Sequence, residues 1–261
     1  MILIYILFFI LGTVVGSFLN VVIIRTKTKK SIFKNRSSCP FCKKKLTWYE
    51  LIPVLSFLIQ KGKCRKCGKQ ISLQYPLVEF FTGLIFVFVA AYGLDFALYG
   101  FVNTIFLLLF SCFLIVIFVY DLKYYLVPDK IIYPAIIITL LYDIYISLVV
   151  QDLSFLTSSI GAAFIAGGFF LFIILISKGK WMGMGDFKIG ILIGLFFGLP
   201  HIFIVLFLAF LSGAFVSLIL LILRKKTLKS EIPFGPFLSG ATFLVLFIGA
   251  GLIRWYLNLF I

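Results

Sequence analysis

Long apolar runs broken by short polar stretches make up most of this chain, and a helix needs about 20 apolar residues to span a bilayer. On that measure the pattern predicts eight spans, at 1–24, 77–94, 98–120, 131–150, 155–177, 187–199, 201–223 and 236–258. The sixth is short and closes at Pro200, which cannot continue a helix. It is expected to start below the membrane surface or to lie tilted, with the loop carrying Asp186 just ahead of it. One long polar stretch, 25–76, separates the first run from the others. The reading is an all-α polytopic membrane protein of about eight transmembrane helices, with a small domain inserted between helices 1 and 2. Its parts are a first membrane helix at 1–24, a loop domain at 25–76 and a membrane domain of about seven helices at 77–261. The first run lacks a basic start and is too long for a cleavable signal peptide. No internal repeat is evident.

Composition agrees with a membrane class. The 261 residues are 63% hydrophobic and 13% charged, where a soluble domain carries about 25% charged residues. The net charge of +15 raises the question of nucleic acid, but the distribution answers it: 14 of the 24 Lys and Arg lie between Arg25 and Lys69. Most of the others fall in the breaks between apolar runs, as the positive-inside rule describes. If the first span runs inward, the segments 25–76, 121–130, 178–188 and 224–235 are cytoplasmic and hold 23 of the 24 basic residues. Asp95, Asp152, His201 and Arg254 then lie towards the outside, as do both termini. The expected charged partner is anionic lipid and not nucleic acid.

Two acids stand out against this background. Asp121 and Asp186 each sit where an apolar run meets a polar break, and carboxylates at membrane depth are costly enough to mark functional sites. Two predicted spans lie between them, so both return to the cytoplasmic side. Two converging carboxylates can share one proton and activate water. The macrodipole of each acid's own helix casts Asp186 as general base and Asp121 as the acid that holds the proton. Gly183 and Gly185, just ahead of the second acid, suit special backbone conformations and a close approach to a substrate strand. Asp129, after Pro128, reads as a helix cap, and Lys188 as a partner of lipid phosphate or of the acid pair. A transporter that relays protons between its aspartates is the rival from another class.

The cysteines carry a separate chemistry. Cys39 and Cys42, with Cys64 and Cys67, form two C-x2-C pairs in the Lys-rich loop. Two such knuckles close a tetrahedral four-thiolate zinc site with no position left for water, so the zinc is expected to be structural. Cys112, in an apolar run, reads as a small packing residue. Glu79 lies early in the second span and needs a partner at its depth, for which Arg25 or Asn20 is the expectation. Ser17 and Asn20 share a helix face with Gly12 and Gly16, a seam suited to close packing.

Taken in order, these motifs resemble the bacterial type IV prepilin peptidases. Gly16-Ser17-Phe18-Leu19-Asn20 with Arg25, the two cysteine pairs, Trp48-Tyr49-Glu50, Tyr75-Pro76-Leu77-Val78-Glu79, the stretch from Asp121 to Pro128-Asp129, Gly183-x-Gly185-Asp186-x-Lys188 and Pro233-Phe234-Gly235-Pro236-Phe237 all match. The Lys-rich stretch at 25–36 and Leu51 after Glu50 depart from the pattern. The resemblance implies an intramembrane aspartic peptidase of the bacterial inner membrane that cleaves basic leaders from prepilin or pseudopilin precursors. It also implies N-methylation of the new terminus from S-adenosylmethionine. Asp121 and Asp186 would be the catalytic pair, supported by Gly183, Gly185, Lys188, Pro128 and Asp129. Asn20, Arg25, Glu50 and Glu79 would serve methyl transfer or substrate. A peptidase that has lost methylation is the narrower alternative.

Overall fold

The structure is a computed structural model that describes residues 2–31, 36–94, 100–227 and 230–257. Asp95 lies outside the described residues. Among those described there are nine α-helices: α1 Ile2–Thr28, α2 Leu55–Ile59, α3 Gln74–Leu94, α4 Gly100–Tyr124, α5 Asp129–Val150, α6 Ser154–Ser177, α7 Met184–Phe197, α8 His201–Ile222 and α9 Gly235–Leu257. All but α2 match the predicted spans to within a few residues. Six (α1, α3, α4, α5, α6 and α8) are long and apolar enough to cross a membrane. The protein is a multi-pass membrane protein. Helix α7 has 14 residues, which is about 21 Å of helix.

Two boundaries differ from expectation. Helix α4 continues one turn past Asp121, because Leu122-Lys123-Tyr124 has no breaker until Tyr125 turns left-handed at φ 55°. Helix α7 begins at Met184, with extended Gly183 as its N-cap, so Asp186 lies in its first turn and not in the loop ahead of it.

The chain forms two compact units, Met1–Val116 and Ile117–Ile261. In the first, α1 packs on α3 along the seam of small residues foreseen in the sequence. A Cβ on Gly12 would fall 2.7 Å from Gly83 Cα, and one on Gly16 would fall 2.8 Å from Glu79 Cα. Backbones approach this closely only where side chains are missing, and in lipid such packing carries much of the helix association.

The second unit is organised around α7. Its Gly190 and Gly194, four residues apart, face α6: added Cβ atoms would lie 2.6 Å from the Phe170 ring and 2.5 Å from Ala163 Cα. Ile189, Gly190, Leu192, Ile193, Gly194 and Leu195 are buried, so α7 is enclosed on most sides. Large apolar side chains such as Phe164, Phe172, Phe207 and Phe215 remain exposed on α6 and α8, as a lipid-facing surface requires. Fully buried Phe170 also meets Phe234 and Phe210, with ring centroids 6.1 and 6.4 Å away. That cluster fixes where the chain enters α9.

Candidate active site and metal centre

Within the second unit, the end of α4 and the start of α7 bring Asp121 and Asp186 within electrostatic reach of each other. Asp121 is buried. Its Oδ2 accepts the backbone N–H of Gly235 at 3.1 Å, a contact across 114 residues of sequence. Asp186 is partly buried, and its own N–H returns to the Gly183 carbonyl at 3.1 Å. Two like-charged carboxyls that interact are stabilised by a shared proton, which is the requirement for one acid and one base in the same site.

The supporting residues divide. Gly185 is required by packing within the chain: a Cβ there would lie 2.6 Å from Val127, so the turn at 183–186 packs directly on the connection after α4. Gly183 adopts an ordinary extended conformation, and a Cβ there would meet only the Gly185 nitrogen at 3.9 Å, so the fold itself does not require a glycine at that position. Pro128, not Asp129, is the N-cap of α5, and its carbonyl accepts from Ile131 and Ile132. Asp129 is the first helical residue. Its carboxylate pairs with Lys188 Nζ at 2.5 Å, and that ammonium also lies 5.0 Å from the centre of the Tyr133 ring. Lys188 therefore ties α7 to α5.

In the first unit the four cysteine sulfurs lie within 4.8 Å of one another. Cys39 Sγ is 3.9 Å from Cys67 Sγ, and Cys42 Sγ is 4.0 Å from Cys64 Sγ. Tetrahedral thiolates at a Zn–S distance of 2.3 Å stand about 3.8 Å apart, so the set fits one metal ion. The two halves are built alike. Ser38 bridges to Lys45 and Lys63 bridges to Gln70. The fourth residue after each leading cysteine, Lys43 or Gly68, is left-handed and donates its N–H back to that cysteine's carbonyl. A seven-residue span with only the two cysteines and one lysine (Lys44 and Lys69) in common is too weak a repeat to see in sequence. Backbone N–H groups of Cys67 and Lys66 pull the Cys64 thiol down to about 6. Against the pull of the Lys69 N–H, burial and the neighbouring sulfurs push Cys67 up to about 11, so the thiols share protons and Cys64 is the one held as thiolate.

The remaining candidates join the loop to its helices. Asn20 donates to the Tyr75 carbonyl at 3.2 Å and accepts from Gln74 Nε2 at 3.2 Å. Glu79 is paired neither with Arg25 nor with Asn20. Its Oε2 takes the N–H of Val54 at 2.8 Å, and Ser17 also bonds to it. Val54 is held at φ 60°, ψ −53°, which a β-branched residue rarely adopts. Glu50 is buried and satisfied inside the loop by Lys44 Nζ at 2.9 Å and by the Thr47 N–H and hydroxyl at 3.0 and 2.9 Å. Arg25 donates to the Ser31 carbonyl at 3.1 Å. It also lines a cleft of about 320 Å³ with Phe18, Val21, Arg36 and Trp48 among others.

A helical membrane protein of this kind, with two interacting acids in one unit and a cluster of four thiols in the other, belongs to the class of polytopic α-helical membrane enzymes. Residues 10–92 match the bacterial peptidase A24 N-terminal domain, and residues 108–218 match the type IV leader peptidase family. The chain is 34% identical to a prepilin leader peptidase/N-methyltransferase of Bacillus subtilis (strain 168), over 96% of its own length and 97% of the relative's. It is 32% identical to one from Aeromonas hydrophila, over 98% and 94% of the two chains. With one from Legionella pneumophila it shares 30% identity over 90% and 79%. No solved structure matches it. The chain belongs to the type IV leader peptidase family.

Proposed function

We propose that this protein cleaves the basic leader from prepilin-like precursors and methylates the amine so exposed, with Asp121 and Asp186 as the catalytic pair. The observation that carries the reading is that these two acids, from helices distant in sequence, lie within electrostatic reach of each other in a single unit. One carboxylate takes a proton from water as the oxygen bonds to the scissile carbonyl carbon. The other carboxylic acid gives its proton to the departing nitrogen as the C–N bond breaks. Lys188, paired with Asp129, holds α7 against α5 during this exchange. The orientation we assign places both termini outside and the loop 25–76 in the cytoplasm, following the basic residues.

The loop acts as a zinc-bearing domain, with Cys39, Cys42, Cys64 and Cys67 as ligands and no catalytic position at the ion. When bound, S-adenosylmethionine would supply an electrophilic methyl group to the new amine, its sulfonium sulfur leaving as a thioether while the amine gives up a proton. We assign it to the first unit, where the cleft at Arg25 and Arg36 offers guanidinium groups for a carboxylate and Trp48 an aromatic face.

Mass spectrometry of a co-expressed prepilin peptide reads both steps at once. The expected product lacks the leader and carries one added methyl group, and Asp121→Ala or Asp186→Ala yields neither cut nor methylated product. Uncut peptide from the native enzyme, or cleavage by either variant at equal protein in the membrane, overturns the reading.

A further inference from the structure

The Pro233-Phe234-Gly235-Pro236-Phe237 segment has no part in the chemistry described so far, yet its central residue touches Asp121. Helix α9 begins at Gly235, and the first N–H groups of a helix have no partner within it. Here they are accounted for one by one. Pro236 has none. Phe237 and Leu238 both donate back to the Phe234 carbonyl, at 3.0 and 3.1 Å. Gly235 is the donor left over, and it points at Asp121 Oδ2.

The position also excludes a side chain. A Cβ on Gly235 would lie 2.6 Å from Oδ2 and 3.2 Å from Cγ of Asp121, and 3.1 Å from Ile189 Cδ1. Ile189 is buried on α7 one turn beyond Asp186. Phe234 is anchored 4.8 Å from the Phe210 ring and 6.1 Å from Phe170, so the donor's location is set by packing.

We infer that Gly235 is the positioning residue for Asp121: its N–H clamps Oδ2, and its missing side chain leaves the carboxylate room, so that Oδ1 is the oxygen turned to water and Asp186. The inference rests on the reading of Asp121 as catalytic. Phe234 serves it indirectly, by holding Gly235 at the start of α9.

The test is steady-state cleavage of a prepilin peptide by the full-length enzyme in detergent or liposomes, alongside methyl transfer to a peptide already lacking its leader. Gly235→Ala keeps the N–H but pushes the carboxylate aside, and displacement by about 1 Å costs about 10²-fold in rate. The expected result is a kcat lower by about that factor, KM within twofold, and unchanged methyl transfer. Gly240→Ala, on the same helix with nothing within 4 Å, is expected to match wild type. Wild-type kcat in Gly235→Ala, with Asp121→Ala inactive, overturns the positioning role and leaves the catalytic reading standing. Cleavage by both variants removes the catalytic reading itself. If Gly235→Ala fails to accumulate, Phe234→Leu decides: a lowered kcat at unchanged KM supports the clamp, and wild-type kcat rejects it.

Discussion

Backbone N–H groups, rather than cations, serve two of the acids set into the membrane helices. Gly235 donates to Asp121 and Val54 donates to Glu79. An amide donor satisfies a carboxyl without bringing a second charge into a medium where charges are costly. Side-chain chemistry was legible in the sequence: both aspartates and all four cysteines were named from it. The partners were not, because a backbone donor leaves no trace in residue type. Arg25 and Asn20 were the natural guesses for Glu79 for that reason. The same limit affects the dipole argument for the acid pair, which counts only each acid's own helix and omits the N-terminus of α9 beside Asp121. Replacing Asp121 or Asp186 with Asn is expected to fail as Ala does, with a loss in kcat no smaller than the roughly 10²–10⁴-fold that a positioned acid or base contributes. Single-turnover cleavage at matched protein levels measures it.

Glu50 gives a pH prediction at the same scale. The Thr47 N–H, and then the Lys44 ammonium, hold its carboxyl at about 2, below the ordinary 4.5. A folded value below the unfolded one stabilises the loop above the unfolded value, and the contribution is lost as pH falls through the folded one. Wild type and Glu50→Gln, compared by limited proteolysis of the 25–76 loop, are therefore expected to differ most above about pH 4.5. The difference should shrink as pH drops towards 2. A gap that stays constant over that window would show that the charge of Glu50 contributes nothing.

Among the elements, α7 depends most on its glycines. Gly194 meets the Ala163 backbone at a distance no Cβ can occupy, and backbone cannot swing aside as a flexible side chain can. Gly194→Ala must separate α6 from α7, and overpacking of this kind costs about 1–3 kcal/mol. The expected outcome is lower thermal stability in detergent together with lost cleavage, since α7 carries Asp186. Gly168→Ala on α6, with nothing within 4 Å, is expected to change neither. Helix existence was readable from run length alone, and eight of the nine helices were placed that way. The short α2 was not, because five residues are too few to show a period, and the last turn of α4 and the first of α7 were not, because their polar residues break the apolar run. The paired knuckles were likewise visible as ligand spacing but not as a repeated fold.

At the scale of the whole molecule, the metal loop and the acid pair fall in different compact units. Cys64→Ser is therefore expected to reduce metal content, accumulation and methyl transfer while leaving part of the cleavage activity. Elemental analysis of the purified chain should find one zinc per molecule in wild type and a loss in the variant. Equal, complete loss of both activities at normal accumulation would show that the two units work as one.

The sequence by itself determined the membrane class, placed eight of the nine described helices, and brought the four thiols and the two acids forward as candidates. All of these follow from local composition, spacing and the cost of charge in lipid. Only the tertiary structure decided which backbone faces which carboxyl. It set Gly235 against Asp121, Val54 against Glu79, and Lys188 against Asp129 instead of lipid phosphate. Those choices depend on where small residues let helices approach, and that is a property of two surfaces meeting which neither strand of sequence holds alone.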